Sequence, residues 1–176
     1  DIFQLMEFAV DQSLEGLHIT AADCERTDED RLRQIRKMAE ERGLYLEYNF
    51  SMDEAYDTRL TNTLEEGIAI ARALGADIAK VSMDLKRPRP VAASRFHPQV
   101  MEQLEKICGL FRDAAPKAEA AGVKIAVENH TDAFSTEVLW VLDQVDHPFV
   151  GACVDTVNGL HVTEDPIVAI ENLAPR

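Results

Sequence analysis

Cysteine is scarce. Cys24, Cys108 and Cys153 are scattered through the chain with no CxxC pair, which excludes a disulfide framework and a cysteine-built zinc site and makes a reducing cytoplasm the expected location. Positive charge is scarce as well. Lys and Arg number 18 against 32 Asp and Glu, for a formal charge of −14, and a protein that held nucleic acid or an anionic membrane would need clustered cations instead. No apolar run approaches the roughly 20 residues of a membrane-spanning helix. Aromatic residues make up only 6% of the chain, while hydrophobic residues make up 46%, so the core must be built mainly from aliphatic side chains. A small-molecule partner is therefore expected, with neither nucleic acid nor membrane.

What is present is a repeating alternation. Ile2, Leu5, Phe8 and Ala9 recur at helical spacing, and Leu17 to Ile19 form a short apolar strand after Gly16. Thr27 with Asp28, Glu29 and Asp30 predicts a helix start, because a hydroxyl cap and early carboxylates satisfy free N–H groups. Leu32, Ile35, Met38 and Ala39 are the buried stripe of that helix, Gly43 ends it, and LYLEYNF over 44–50 reads as a strand. The unit repeats with a helix marked by Leu60, Leu64, Ile68 and Ala71, closed by Gly75, and a strand IAKVSM over 78–83. LKRPRPVAASR over 85–95 is a loop. A long helix through Val100, Leu104, Ile107 and Leu110 runs toward Gly122, with Pro116 expected to kink or interrupt it. VKIAVENH supplies the next strand, Ser135 is a candidate cap for a helix carrying Val138, Leu139 and Leu142, and FVGACVD is the last strand. Asp165 and Pro166 open a final helix as cap and first-turn proline.

Five strands and six helices in strict alternation imply a parallel sheet with right-handed crossovers, either doubly wound or a (β/α) barrel. Strand parity decides. In VKIAVENH, Val123, Ile125 and Val127 oppose Lys124, Ala126 and Glu128, and in LYLEYNF, Leu44, Leu46 and Tyr48 oppose Tyr45, Glu47 and Asn49. A doubly wound sheet is covered by helices on both faces and wants continuously apolar strands, whereas a barrel keeps polar side chains toward its mouth. A TIM (β/α)8-type barrel is expected, with His18, Glu47, Lys80, Glu128 and Asp155 converging in one lumen near the strand C-termini.

Several ionisable groups in one partly dry pocket must pair or bind a cation, and carboxylates with nearby imidazoles suit Mn2+, Mg2+, Co2+ or Zn2+. From chemistry alone the plainer alternatives stand. A lone strand-end Glu is more often solvated or ion-paired, Asp155 can begin a turn by bonding its own backbone, His18 can be a satisfied rim histidine, and Lys80 can simply pair with Glu47 or Glu128. The basic loop residues Lys86, Arg87, Arg89 and Arg95 either hold a substrate phosphate or form a solvated loop or subunit contact.

GVKIAVENH, followed by FVGACVDTVNGL and EDPIVAIENLAP, resembles the sugar phosphate isomerase/epimerase family of xylose-isomerase-like TIM barrels, and EGLHIT and ERGLYLEYNF fit that family's second and third strands. The resemblance implies one divalent metal held by Glu128 and Asp155, with a further His and Glu on strands beyond residue 176. It makes Glu128 the catalytic carboxylate that exchanges a proton with a sugar or keto substrate; His18, Glu47, Lys80, His130 and Asn158 are the candidate substrate-binding groups. It also implies that residues 1–176 are a single barrel domain truncated at both ends, so that two sheet edges would seek missing parts or further copies, a homo-oligomer included. Asn158 stands where sugar epimerases of the family often carry His, and His130 is the nearest replacement donor. The expected activity is isomerisation or epimerisation through an enediolate, with a keto-acid lyase and a non-catalytic barrel scaffold as the alternatives.

Overall fold

The computed structural model describes residues 1–53, 57–88 and 94–176. Arg89 of the basic loop lies outside the described residues. Five parallel strands, β1 (Gly16–Ile19), β2 (Tyr45–Ser51), β3 (Ile78–Ser82), β4 (Lys124–Glu128) and β5 (Val150–Cys153), pair strictly in chain order. Among the described residues the order never reverses, so they hold no switch point of the kind that defines a doubly wound sheet. The sheet is an arc of a (β/α) barrel.

Around it, among the described residues, run seven α-helices: α1 (Ile2–Asp11), α2 (Ala21–Cys24), α3 (Glu29–Arg42), α4 (Leu64–Leu74), α5 (Pro98–Ala121), α6 (Ser135–Val145) and α7 (Pro166–Leu173). Consecutive long helices pack on one another, and they cover one face of the sheet. That face carries Leu46, Tyr48, Phe50, Ala79, Val81, Ile125 and Val127, all buried. The opposite face carries residues of the other parity, from exposed His18 through Glu47, Asn49 and Lys80 to buried Ser82 and Glu128. α4 presses so closely on β2 that a Cβ on Gly67 would stand 2.4 Å from the Phe50 ring.

The local signals explain most helix boundaries. α4 begins with a capping box in which Thr63 accepts from Glu66 N–H and the Glu66 carboxylate accepts from Thr63 N–H. Gly43 and Gly75 end α3 and α4 in left-handed backbone at φ 68° and 74°.

Four expectations need correction. The extra helix is α2, a single turn too short to show periodicity. The cap of α3 is Asp28 rather than Thr27, its carboxylate accepting from Arg31 N–H at 3.1 Å. Pro116 does not interrupt α5, which is continuous over 24 residues. The proline sits on the exposed side, where water can take the freed carbonyl, while Ala114, Ala115 and Ala118 keep the opposite side packed. Ser135 is the first residue of α6, not its cap. Glu137 caps that helix by accepting from Phe134 N–H at 3.0 Å, and Ser135 turns its N–H and hydroxyl to Glu164 instead.

Candidate active site

The lumen face is ordered in rows by the sheet register. His18 pairs with Glu47, Asn49 with Lys80 and Lys80 with Ala126. Nearer the C-terminal ends, Ser51 pairs with Ser82, Ser82 with Glu128 and Glu128 with Cys153. Asp155 follows two residues beyond Cys153, on the same parity. On this face the structure places two ion pairs. His18 Nδ1 lies 3.4 Å from Glu47 Oε2 in a largely exposed setting, and Lys80 pairs with Glu128 in a deeply buried one. Burial pushes the Cys153 thiol above its usual pKa, and the charges of Glu128, Glu47 and Asp155 add to that while Lys80 opposes it, which places all four groups within electrostatic reach of one lumen atom.

Glu128 is 7% exposed, and its Oε2 is paired with the Lys80 ammonium. A buried carboxylate is costly without such a cation beside it. Asp155 is held by Asn129, a fully buried residue whose Oδ1 accepts from Asp155 N–H at 2.7 Å while its Nδ2 donates to the Asp155 carbonyl at 2.9 Å. The Asp155 Oδ1 in turn accepts from the N–H groups of Val157 and Asn158, each at 2.8 Å, and so opens the short 3-10 helix Asn158–Val162. The turn-forming role weighed for Asp155 is therefore real, and it occupies one carboxylate oxygen. By donor type, the Glu128 carboxylate and the Asp155 oxygen not used in the turn are of the kind a divalent ion takes.

A second group of donors was not anticipated. Asp84, just past β3, and His130 and Asp132, just past β4, bring one ligand atom each to within 4.8 Å of one another. Their oxygens are engaged by protein donors: Ser51 and Ser82 hydroxyls bond Asp84 at 2.6 and 2.9 Å, Leu85 N–H bonds Asp132, and Asp132 Oδ1 lies 3.1 Å from His130 Nδ1. The hydrogen bond to Asp132 raises the His130 pKa above its usual value, against partial burial, with the charges of Asp132, Glu128 and Asp84 adding. With Asn49, Ser51, Lys80 and Ser82, this group walls a cavity of about 460 Å3 above β2, β3 and β4. A carboxylate directly after a strand end, as in Asp84, was the sequence signal that could have found it.

Among the described residues, the basic loop is not a free cationic patch. Lys86 pairs with Asp53, Arg95 lies 3.3 Å from Glu164, and Arg87 pairs with the fully buried Glu137 while donating to the carbonyls of Asp132 and Ser94. Both Arg87 and Arg95 stack on the Phe134 ring, at 4.9 and 4.8 Å from its centroid.

Known proteins share the fold of this chain. A curated 3-oxo-isoapionate decarboxylase of Pectobacterium atrosepticum is 26% identical over 147 residues, covering 82% of this chain and 46% of that protein, so the chain spans about half the length of this relative. Among solved structures, D-psicose 3-epimerase of Clostridium cellulolyticum H10 superposes with a TM-score of 0.75 at 16% identity, covering 99% of this chain and 65% of that one. A probable 3-DHS dehydratase of Bacillus anthracis gives 0.71 at 16% identity, with 99% and 65% covered. A 3-keto-D-glucoside 4-epimerase of E. coli gives 0.73 at 12% identity, with 99% and 70% covered. At these identities the superpositions show a shared fold. The family model described as xylose isomerase-like TIM barrel matches residues 3–176, and the chain belongs to that family.

Proposed function

We propose that this protein is a divalent-metal-dependent isomerase or epimerase of a sugar or sugar-like hydroxyketone, working through an enediolate. The observation that supports the reading is the buried Glu128 carboxylate, paired with Lys80 on the lumen face and level with Cys153, two residues before Asp155. Glu128 and Asp155 would hold the ion, of the Mn2+, Mg2+, Co2+ or Zn2+ class. When bound, such an ion supplies positive charge to the oxygens of the enediolate and lowers the cost of removing the intervening C–H proton. The protein's own work is positional. Glu128 removes the proton and returns it, Lys80 stands beside that carboxylate with its ammonium ready for a substrate oxygen, and His130 and Asn158 orient hydroxyls from the two adjoining loops. His18 and Glu47, paired lower on the same face, hold the far end of the substrate.

Glu128→Gln in the full natural protein is expected to abolish exchange of the substrate C–H proton with solvent. Retained exchange would remove Glu128 from the mechanism. A second reading, a lyase or decarboxylase acting on a keto acid, is favoured by the name of the curated relative and uses the same enolate chemistry. Product analysis separates the two, because only the second loses water or carbon dioxide.

A further inference from the structure

Resting on the reading of His130 as a group that orients a substrate hydroxyl, we infer that Arg87 is a positioning residue for His130, acting from behind the cavity wall through Asp132. The cavity above β2, β3 and β4 is walled in part by two loops, with Leu85 and Lys86 following β3 and His130, Thr131 and Asp132 following β4. Arg87 is not among the described residues of that wall, and its side chain is only 6% exposed. Its three guanidinium nitrogens each take a different segment. Nη2 pairs with the fully buried Glu137 on α6, Nη1 donates to the Ser94 carbonyl at 3.0 Å, and Nε donates to the Asp132 carbonyl. The guanidinium also lies over the Phe134 ring, 4.9 Å from its centroid, which restrains its plane.

Asp132 carries that restraint to the imidazole. Its Oδ2 accepts the Leu85 N–H, and its Oδ1 lies 3.1 Å from His130 Nδ1. An ionised carboxylate only accepts, so Nδ1 is the ring nitrogen that holds a proton toward Asp132, and Nε2 is left for a ligand. Asp132 is thus gripped at its backbone by Arg87 and at its carboxylate by Leu85, two residues before Arg87 on the same loop. One tether would let the residue pivot, whereas two fix the carboxylate and with it the ring it holds. Glu137 stiffens the grip. It accepts from Phe96 N–H at 2.9 Å and Phe134 N–H at 3.0 Å as well as from Arg87, so the arginine is held to the first turn of α6. A lysine in its place keeps a charge for Glu137 but has no planar fork to reach the Asp132 and Ser94 carbonyls at once.

The test is NMR of the full natural protein labelled with nitrogen-15 in its histidine rings, the His130 signals being assigned by their loss in His130→Gln. The parent is expected to show a His130 Nδ1 proton protected from exchange with water, which disappears in Asp132→Asn. Arg87→Lys, shown to be folded by circular dichroism, is expected to lower that protection about tenfold, the scale of one lost hydrogen bond. Ile35→Val, a core variant on α3, controls for a general loss of stability and should leave the proton protected. An unprotected Nδ1 proton in the parent, equal protection in the parent and Arg87→Lys, or an equal loss in Ile35→Val overturns the inference. The reading beneath it is measured separately, by C–H exchange of D-psicose with Mn2+ in deuterated water. Exchange that is absent from the parent, or that His130→Gln leaves unchanged, counts against that reading of His130, while the hold of Arg87 on its ring is decided by the NMR alone.

Discussion

Lys80 and Glu128 project from neighbouring strands into the same lumen, one row apart in the register, and form an ion pair with side chains only 14% and 9% exposed. A buried pair of this kind adds little net stability, because desolvation offsets attraction, but removing one partner strands the other. Lys80→Met is expected to cost about 3–5 kcal/mol in chemical denaturation, and the double variant Lys80→Met/Glu128→Gln much less than the sum of the singles. A loss below about 1 kcal/mol in Lys80→Met would show that the pair is hydrated and that Glu128 is not the buried, ion-paired carboxylate described above.

Asn129 ties the end of β4 to the backbone of Asp155 through two hydrogen bonds while fully buried. Replacing it with Ala leaves a part-buried N–H and carbonyl without partners, at an expected total cost of about 1–3 kcal/mol. If Asp155 is a metal ligand, divalent-ion affinity should also fall by about 10–100-fold, as for other groups that orient a ligand. Loss of stability with unchanged ion affinity would separate Asp155 from the ion.

The strand faces were legible in the sequence because parity is a local property. Glu128, Lys80 and Glu47 could be placed in a lumen from the two-residue period alone, and the unreversed strand order agrees with the barrel expected from it. What the sequence could not show is contact between distant loops. Asp84 and Asp132 meet through Leu85 N–H across 47 residues, and Asp84 stands beside a segment whose prolines and basic residues carry no period. The same limit hid the partners of Arg87 and Arg95, whose cluster looked like a free cationic loop until Glu137 and Glu164 were found beneath it. Pro116 misled for another reason: the cost of a helical proline depends on whether the freed carbonyl faces water, which a one-dimensional pattern does not specify.

Glu137 has no exposed surface and receives Arg87, Phe96 N–H and Phe134 N–H. Glu137→Ala should therefore cost about 3–5 kcal/mol, since it strands the buried guanidinium and uncaps α6 together. Urea denaturation measures this, and a change within about 0.5 kcal/mol would contradict the buried pair.

Burial pushes the Cys24 thiol up to about 11, with Asp23 adding and Arg31 opposing, and burial likewise raises Tyr48. For a thiol raised in the folded state, the stabilisation is complete below the unfolded pKa near 9 and is lost as pH rises toward 11, because the unfolded chain releases its proton first. Unfolding free energy should fall between about pH 9 and pH 11, by up to about 2–3 kcal/mol from Cys24, with Tyr48 adding above its own ordinary range. Cys24→Ala should flatten the lower part of that slope. An identical slope in the variant would assign the loss to other groups.

The most direct measurement is calorimetric titration of Mn2+ into the full natural protein and into its Glu128→Ala and Asp155→Ala variants. Saturable binding in the parent that disappears in both variants, each still folded by circular dichroism, is the expected result. Equal binding in all three would make Glu128 and Asp155 ordinary lumen carboxylates and would contradict a metal-assisted enediolate reaction at this site.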